Sequence, residues 1–248
     1  MNKPQMFSGY HAVEALLRHR PEAVLELFVL DARADRGEER LDQLVETARS
    51  QGIAVQRARK EVLAKHAGPQ NQGVVARARP RRPGQERQLF DLLDQQVGPV
   101  RLLVLDGVTD PHNLGACLRS ADATGVTAVV VPRRGACGLT PVVCRTAVGA
   151  AESLPYYEVG NLTRALDELR AGGIQVVGTD LADRSVSLGE FQPQPSVAVI
   201  MGAEGQGMRE QVRQRCDVLV YIPMQGEVQS LNVSVATGVV LYQLSLSR

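Results

Sequence analysis

Two segments near the C-terminal end decide the fold: VAVIMGAEGQGM, residues 197–208, and IPMQGEVQSLNVSVA, residues 222–236. In the first, four apolar residues (197–200) run into Gly202, Gly205 and Gly207, a strand opening onto a loop with few Cβ atoms. Such a loop can offer peptide N–H and C=O groups to a ligand. In the second, a β-like run over 218–222 stops at Pro223, and Ser230 precedes a long apolar stretch. That order predicts a helix capped by Ser230 with Asn232 in its first turn, where an amide offers both a donor and an acceptor. The glycines form neither the G-x-G-x-x-G of a dinucleotide fold nor a Walker loop. Alone, they fit an ordinary strand-turn-helix connection equally well.

A third segment lies upstream: LLVLDGVTDPHNLGACLRSADATG, residues 102–125. An apolar strand meets Asp106, turns through Asp110 and Pro111, and enters a helix near Asn113 that carries Arg119 about two turns along. Asp106 and Asp110 read as turn-shaping residues rather than metal ligands, and no metal site is expected.

Together the three segments resemble the SpoU (TrmH-type) 2′-O-ribose RNA methyltransferases of the SPOUT superfamily. D-P-H-N-L-G-A-C-L-R corresponds to the first family motif, M-G-A-E-G-Q-G-M to the second and I-P-M-x-G-x-x-x-S-L-N-V-S-V-A to the third. The resemblance covers roughly residues 100–248. It implies an α/β domain with a C-terminal trefoil knot, S-adenosyl-L-methionine as cofactor, and a homodimer pairing helices that include the last one. It also implies cofactor contacts from Gly202, Gly207, Ile222, Met224 and Leu231. Asn113, Arg119, Glu204, Ser230 and Asn232 stand at the remaining motif positions and are the catalytic candidates. A guanidinium is effectively never deprotonated, so Arg119 suits phosphate binding and alkoxide stabilisation better than base catalysis. Glu204 is expected to orient it. Each candidate also has a plainer reading: a surface arginine, a loop glutamate, helix-start residues.

The first 76 residues alternate helical and strand-like segments (AVEALLRH, LELFVL, ERLDQLVETARSQG, IAVQR, KEVLAKHAG, QGVVARA), a small α/β unit. G-x-H-A-V-E-A-L-L and N-Q-G-V-V-A resemble the ends of the family's L30e-like RNA substrate-binding domain. Asn71 stands where family members usually carry His. Residues 77–98, rich in Arg and Pro, read as a flexible linker, and 99–248 as the catalytic domain. Residues 49–87 hold ten Lys/Arg against Glu61 and Glu86, a net +8 on a chain of net +1. Such asymmetry suits a polyanion tracked through its phosphates, although a solvated linker has the same composition.

Continuous apolar runs at 100–105, 128–131, 174–177, 197–200 and 218–222 predict a parallel sheet covered on both faces. No run approaches the roughly 18 residues of a membrane span, and Gly9, His11 and Glu14 interrupt the N-terminus as no signal peptide would. A cytoplasmic protein is expected. Four cysteines without a C-x-x-C pair predict reduced thiols. The layout resembles family members that methylate a guanosine in large-subunit ribosomal RNA. Another rRNA or tRNA site, a non-catalytic RNA-binding protein, and a nucleotide-dependent oxidoreductase are the alternatives.

Overall fold

The computed structural model describes residues 3–31, 38–182 and 184–246, and the chain divides into two compact units. Unit 1 comprises residues 1–82 and 139–153; unit 2 comprises 83–138 and 154–248.

Unit 1 is built from β1 (Gln5–Ser8), α1 (Tyr10–His19), β2 (Val24–Leu30), α2 (Glu38–Ser50), β3 (Ala54–Ala58), α3 (Lys60–Ala67) and β4 (Val74–Ala78). Its strands lie in the order β1-β4-β2-β3, with only the β2–β3 pair parallel. Leu16, Leu17, Leu27 and Leu63 are fully buried, and α1 turns its apolar face inward on the expected period. Asn71 is buried too. Its Nδ2 donates to the Gly68 carbonyl at 2.7 Å and its Oδ1 accepts from the Gly73 N–H at 3.0 Å, so it shapes the turn that enters β4. The short helices α6 (Pro141–Thr146) and α7 (Ala150–Ser153) also belong here. Glu152, buried, accepts from Arg20 Nε at 2.8 Å, and Arg81 Nη1 donates to the Ala151 carbonyl at 2.6 Å.

Unit 2 holds β5 (Gly84–Gln85), α4 (Glu86–Gln95), β6 (Arg101–Asp106), α5 (Pro111–Ala123), β7 (Ala128–Pro132) and β8 (Tyr156–Val159). It continues with α8 (Leu162–Ala171), β9 (Gln175–Thr179), β10 (Val186–Ser187), β11 (Val197–Gly202), α9 (Glu210–Arg213), β12 (Val218–Tyr221) and α10 (Val233–Leu246). Its sheet runs β10-β12-β9-β11-β6-β7-β8-β5, parallel throughout. This is the predicted α/β architecture. In β6, Leu102 through Leu105 have no exposed surface, which explains a run without polar alternation. Each such side chain contributes roughly 1.5–3 kcal/mol by leaving water.

The stretch expected as a linker, 77–98, is mostly regular structure. Arg77 and Ala78 close β4, and residues 84–95 form β5 and α4, where the Gln85 N–H donates to the Gln88 side chain at 2.8 Å in a capping box. Only 79–83 and 96–98 lie outside an element. The Pro and Arg content masked a capped amphipathic helix that buries Leu89.

The last helix packs against α5, where Cys117 Sγ and Thr237 Oγ1 stand 3.4 Å apart in the interior. Arg101 anchors its far end, donating from Nη2 to the Leu244 carbonyl at 3.1 Å. Among the described residues, no helix is long and apolar enough to cross a membrane.

Candidate active site

In an open parallel sheet, ligands bind beyond the C-terminal strand ends where the strand order reverses. Here the reversal lies between β6 and β11. β6 is followed by β7 on one side, and the later strand β11 lies on the other. The two end in register, Asp106 beside Gly202.

Beyond β6, Asp110 caps α5 by accepting the Asn113 N–H at 2.8 Å, with Pro111 at the first helical position. The Asn113 side chain is thereby aimed out of the first turn. Beyond β11, Ala203 and Gly207 exchange two backbone hydrogen bonds of 3.0 and 2.9 Å, closing a tight loop with Glu204 near its tip. Gly205 and Gly207 adopt φ of +75° and +67°, which glycine tolerates best. Gly202 is required for another reason: a Cβ there would overlap the backbone of Gly207 and Met208. The glycines therefore serve the loop's own closure before any ligand arrives.

The third segment meets the other two. Asn113 Nδ2 donates to Glu204 Oε2 at 3.1 Å, while Asn232 Nδ2 donates to Asn113 Oδ1 at 3.0 Å and to Glu204 Oε2 at 3.3 Å. Asn232 Oδ1 accepts the Ser234 N–H at 2.9 Å. Asn232, not Ser230, is thus the N-terminal cap of α10, which begins at Val233. The apolar stretch from Leu231 made the helix look longer than it is.

A cavity of about 640 Å³ opens at this edge, lined by Gly107, Asp110, Asn113, Arg134, Glu204 and Gly207 among others. The 133–138 loop beside it is tied down through the Cys137 N–H to the Val108 carbonyl at 3.1 Å. Burial, and then the Asp110 carboxylate, hold the Cys137 thiol above its usual range. The lining carries carboxylates able to face a sulfonium and an ammonium, guanidinium groups able to face a carboxylate, and glycine backbone. Those are the groups S-adenosylmethionine displays, and the volume suits a cofactor of that size.

Residues 101–242 match the SpoU rRNA Methylase family, and residues 8–84 match the RNA 2′-O ribose methyltransferase substrate binding family. The chain belongs to the SpoU family. It is 46% identical over 244 residues to the 23S rRNA (guanosine-2′-O-)-methyltransferase RlmB of Shewanella oneidensis, covering 98% of this chain and 97% of that one. Identity to the enzyme of the same name from Escherichia coli K12 is also 46%, over 96% and 97% of the two chains. The SpoU methyltransferase AviRb of Streptomyces viridochromogenes, solved with AdoMet, aligns at 25% identity with a TM-score of 0.76, over 97% of this chain and 89% of that one.

Against these SpoU motifs, the residues singled out from sequence divide into two sets. Asn113, Glu204 and Asn232 come together. Arg119 lies on α5, exposed, and among the described residues nothing pairs with it. Glu204 therefore turns to the two amides rather than to Arg119. Ser230 is exposed, two positions before the cap. Of the expected cofactor contacts, Gly207 lines the cavity and Gly202 supports its loop. Ile222, Met224 and Leu231 lie on the segment between β12 and α10 and do not line this cavity. Arg134 and Arg209, which do, went unnoticed in the sequence. Neither has a motif to announce it.

Proposed function

We propose that this protein transfers a methyl group from S-adenosylmethionine to the ribose 2′-hydroxyl of a guanosine in 23S ribosomal RNA. The observation that carries the reading is the Asn113–Glu204–Asn232 network. Glu204 and Asn232 stand at the surface and Asn113 is only half-buried, so their pairing adds little stability. Its effect is to hold three distant motifs in one arrangement beside a cofactor-sized cavity. The relatives that match nearly the whole chain at 46% identity carry the name of this activity.

When bound, S-adenosylmethionine supplies an electrophilic methyl group on a sulfonium that leaves as a neutral thioether. The chain's own residues do the rest. Arg119, permanently charged and unpaired among the described residues, takes the phosphate beside the target ribose and stabilises the negative charge on the 2′-oxygen as its proton passes to solvent water and the oxygen–methyl bond replaces the sulfur–methyl bond. Glu204, accepting from both amides on one oxygen, fixes their orientation, so that Asn113 and Asn232 hold the nucleotide in line with the methyl group. Arg134, Glu204 and Gly207 would hold the cofactor, with Gly202 supporting the loop, and Ile222, Met224, Leu231 and Ser230 would contribute from the third-motif segment, which lies outside the cavity lining.

The finer architecture follows the same reading. A trefoil knot is supported by the path of the chain: β12 lies beyond β9, yet its continuation returns to α10, which packs on α5 and touches β11. The chain passes between an L30e-like RNA-binding unit and the catalytic unit at 82–83, inside the stretch expected as a linker, and again at 138–139 and 153–154. In the first unit Arg57, Arg59, Lys60 and Lys65, on or next to β3 and α3, take ribosomal RNA phosphates, whereas Arg81 is spent on backbone carbonyls. Val235, Val239, Tyr242 and Leu246 are 52, 40, 61 and 61% exposed and recur at one face of α10, which supports a homodimer through this helix. A ribosomal RNA substrate supports a cytoplasmic location.

The test is transfer of labelled methyl from S-adenosylmethionine to unmodified bacterial rRNA, wild type against Arg119→Ala, with the product nucleotide mapped. Guanosine 2′-O-methylation lost in the variant supports the reading. No transfer to any rRNA despite tight RNA binding overturns it.

A further inference from the structure

Asp106 is the last residue of β6, and its side chain has no exposed surface, whereas the Arg209 side chain is 60% exposed. A buried carboxylate is strongly unfavourable unless its oxygens are occupied by donors. Arg209 supplies them. Its backbone N–H donates to Oδ2 at 3.0 Å, its Nε to Oδ1 at 2.8 Å, and its Nη2 stands 2.7 Å from Oδ1. The two residues are 103 positions apart in sequence.

Their positions matter more than their bond lengths. The loop from Ala203 to Gly207 is closed on itself by its own backbone pair, so its placement is set at its two ends. One end is β11, fixed in the sheet with Gly202 opposite Asp106. The other end is Arg209, and Asp106 holds it. Asp106 in turn precedes the turn that delivers Asn113 at the start of α5, and the Gly107 backbone sits against the Ala203 side chain. One carboxylate therefore fixes the relative placement of the two segments that carry Asn113 and Glu204.

We propose that Asp106 and Arg209 are positioning residues for methyl transfer: they clamp the second-motif loop so that Glu204 stays within hydrogen-bond reach of Asn113 and Asn232. This rests on the methyltransferase reading above. Neither residue touches the reacting atoms in this scheme, and an ångström of drift at Glu204 is enough to cost rate.

The test uses the full chain and three variants: Arg209→Ala, Arg209→Lys and Asp106→Asn. Two quantities are read, methyl transfer to rRNA (kcat and KM separately) and native-state hydrogen exchange of the peptide spanning 201–209. For Arg209→Ala the expected result is a fall in kcat of about 10²-fold, KM for rRNA within about twofold, and exchange in that peptide at least tenfold faster while other peptides are unchanged. Arg209→Lys keeps the charge and the backbone N–H but loses the fork, and falls between. Guanidinium ion at millimolar concentration is expected to restore part of the activity of Arg209→Ala and none of that of Asp106→Asn. Unchanged exchange over 201–209, or a loss confined to KM, overturns the proposal; the latter makes Arg209 an RNA contact. If wild-type protein fails to methylate rRNA but Arg209→Ala still loosens the loop, the clamp stands and the substrate reading fails.

Discussion

Asn232 Nδ2 lies 3.0 Å from Asn113 Oδ1, although 119 residues separate them in sequence. The same Asn232 caps α10 through the Ser234 N–H, so one side chain starts a helix and completes the site. These roles can be separated. Asn232→Ala removes both, and is expected to lower stability by about 1 kcal/mol and activity by at least tenfold. Asn232→Ser keeps a capping oxygen but has no amide to reach Asn113 and Glu204. Thermal unfolding should return close to wild type while methyl transfer stays low; recovery of both would leave the network without a function.

Arg119 tests fork against charge. Arg119→Lys retains a cation on the same exposed helical position but cannot bind a phosphate bidentately. We expect kcat to fall at least tenfold with the unfolding midpoint unchanged, since Arg119 has no partner to lose among the described residues. Steady-state kinetics with rRNA checks this, and full activity would remove Arg119 from the site.

Two glycines on the same edge should respond differently to alanine. At Gly202 the new methyl group would meet the backbone of Gly207 and Met208, which cannot rotate away. A cost of about 1–3 kcal/mol or more is expected, with loss of S-adenosylhomocysteine binding by calorimetry. At Gly135 the space is open and only the φ of +79° is strained, so about 1 kcal/mol and retained binding are expected.

The cysteines set a pH expectation. Burial pushes the Cys117 thiol up to about 11, and those of Cys144 and Cys216 to about 12, from an ordinary value of 9.0. Raised values favour the neutral thiol in the folded state. Their contribution to stability is therefore complete below pH 9.0 and declines as pH rises toward 11 and 12. At pH 8 a thiol reagent should label native protein slowly and mainly at Cys137, and denatured protein at all four positions. Rapid labelling of Cys117 in native protein would contradict its burial.

The proposed dimer face is open to a direct measurement. Replacing Val239 and Tyr242 by Asp puts two charges on the exposed stripe of α10 without touching its buried face. If α10 is the dimer face, sedimentation should report a dimer for the wild type and a monomer for this variant.

How much of this was legible in sequence depended on distance along the chain. Runs such as 102–105 announced buried parallel strands because every residue in them is apolar, and the motifs grouped Asn113, Arg119, Glu204, Ser230 and Asn232, of which Asn113, Glu204 and Asn232 are joined by hydrogen bonds. What sequence hid was local chemistry that composition disguised, and pairing at long range. β5 and α4 sit in a stretch whose prolines and arginines suggest a linker, though Gln85 and Gln88 form the capping pair. β8, with the sequence YYEV, is too polar to read as a sheet strand, and becomes one because β7 and β5 bond to its two sides. Asp106 looked like a turn residue because Arg209, which makes its burial tolerable, is announced by no motif of its own.

The Gly202 constraint reaches beyond this chain. Because the absent Cβ makes room for Gly207 rather than for a ligand, a descendant that had abandoned methylation would still be held to glycine there by the need to fold. Its Asn113 amide and Glu204, half-buried and exposed and adding little to stability, would be free to drift, and Asn232 would be held only to a residue able to cap α10. In genomes, then, the survival of the glycines says only that the loop persists; under the proposed mechanism it is the joint survival of the positions equivalent to Asn113, Arg119, Glu204 and Asn232 that would separate a working enzyme from its idle descendants.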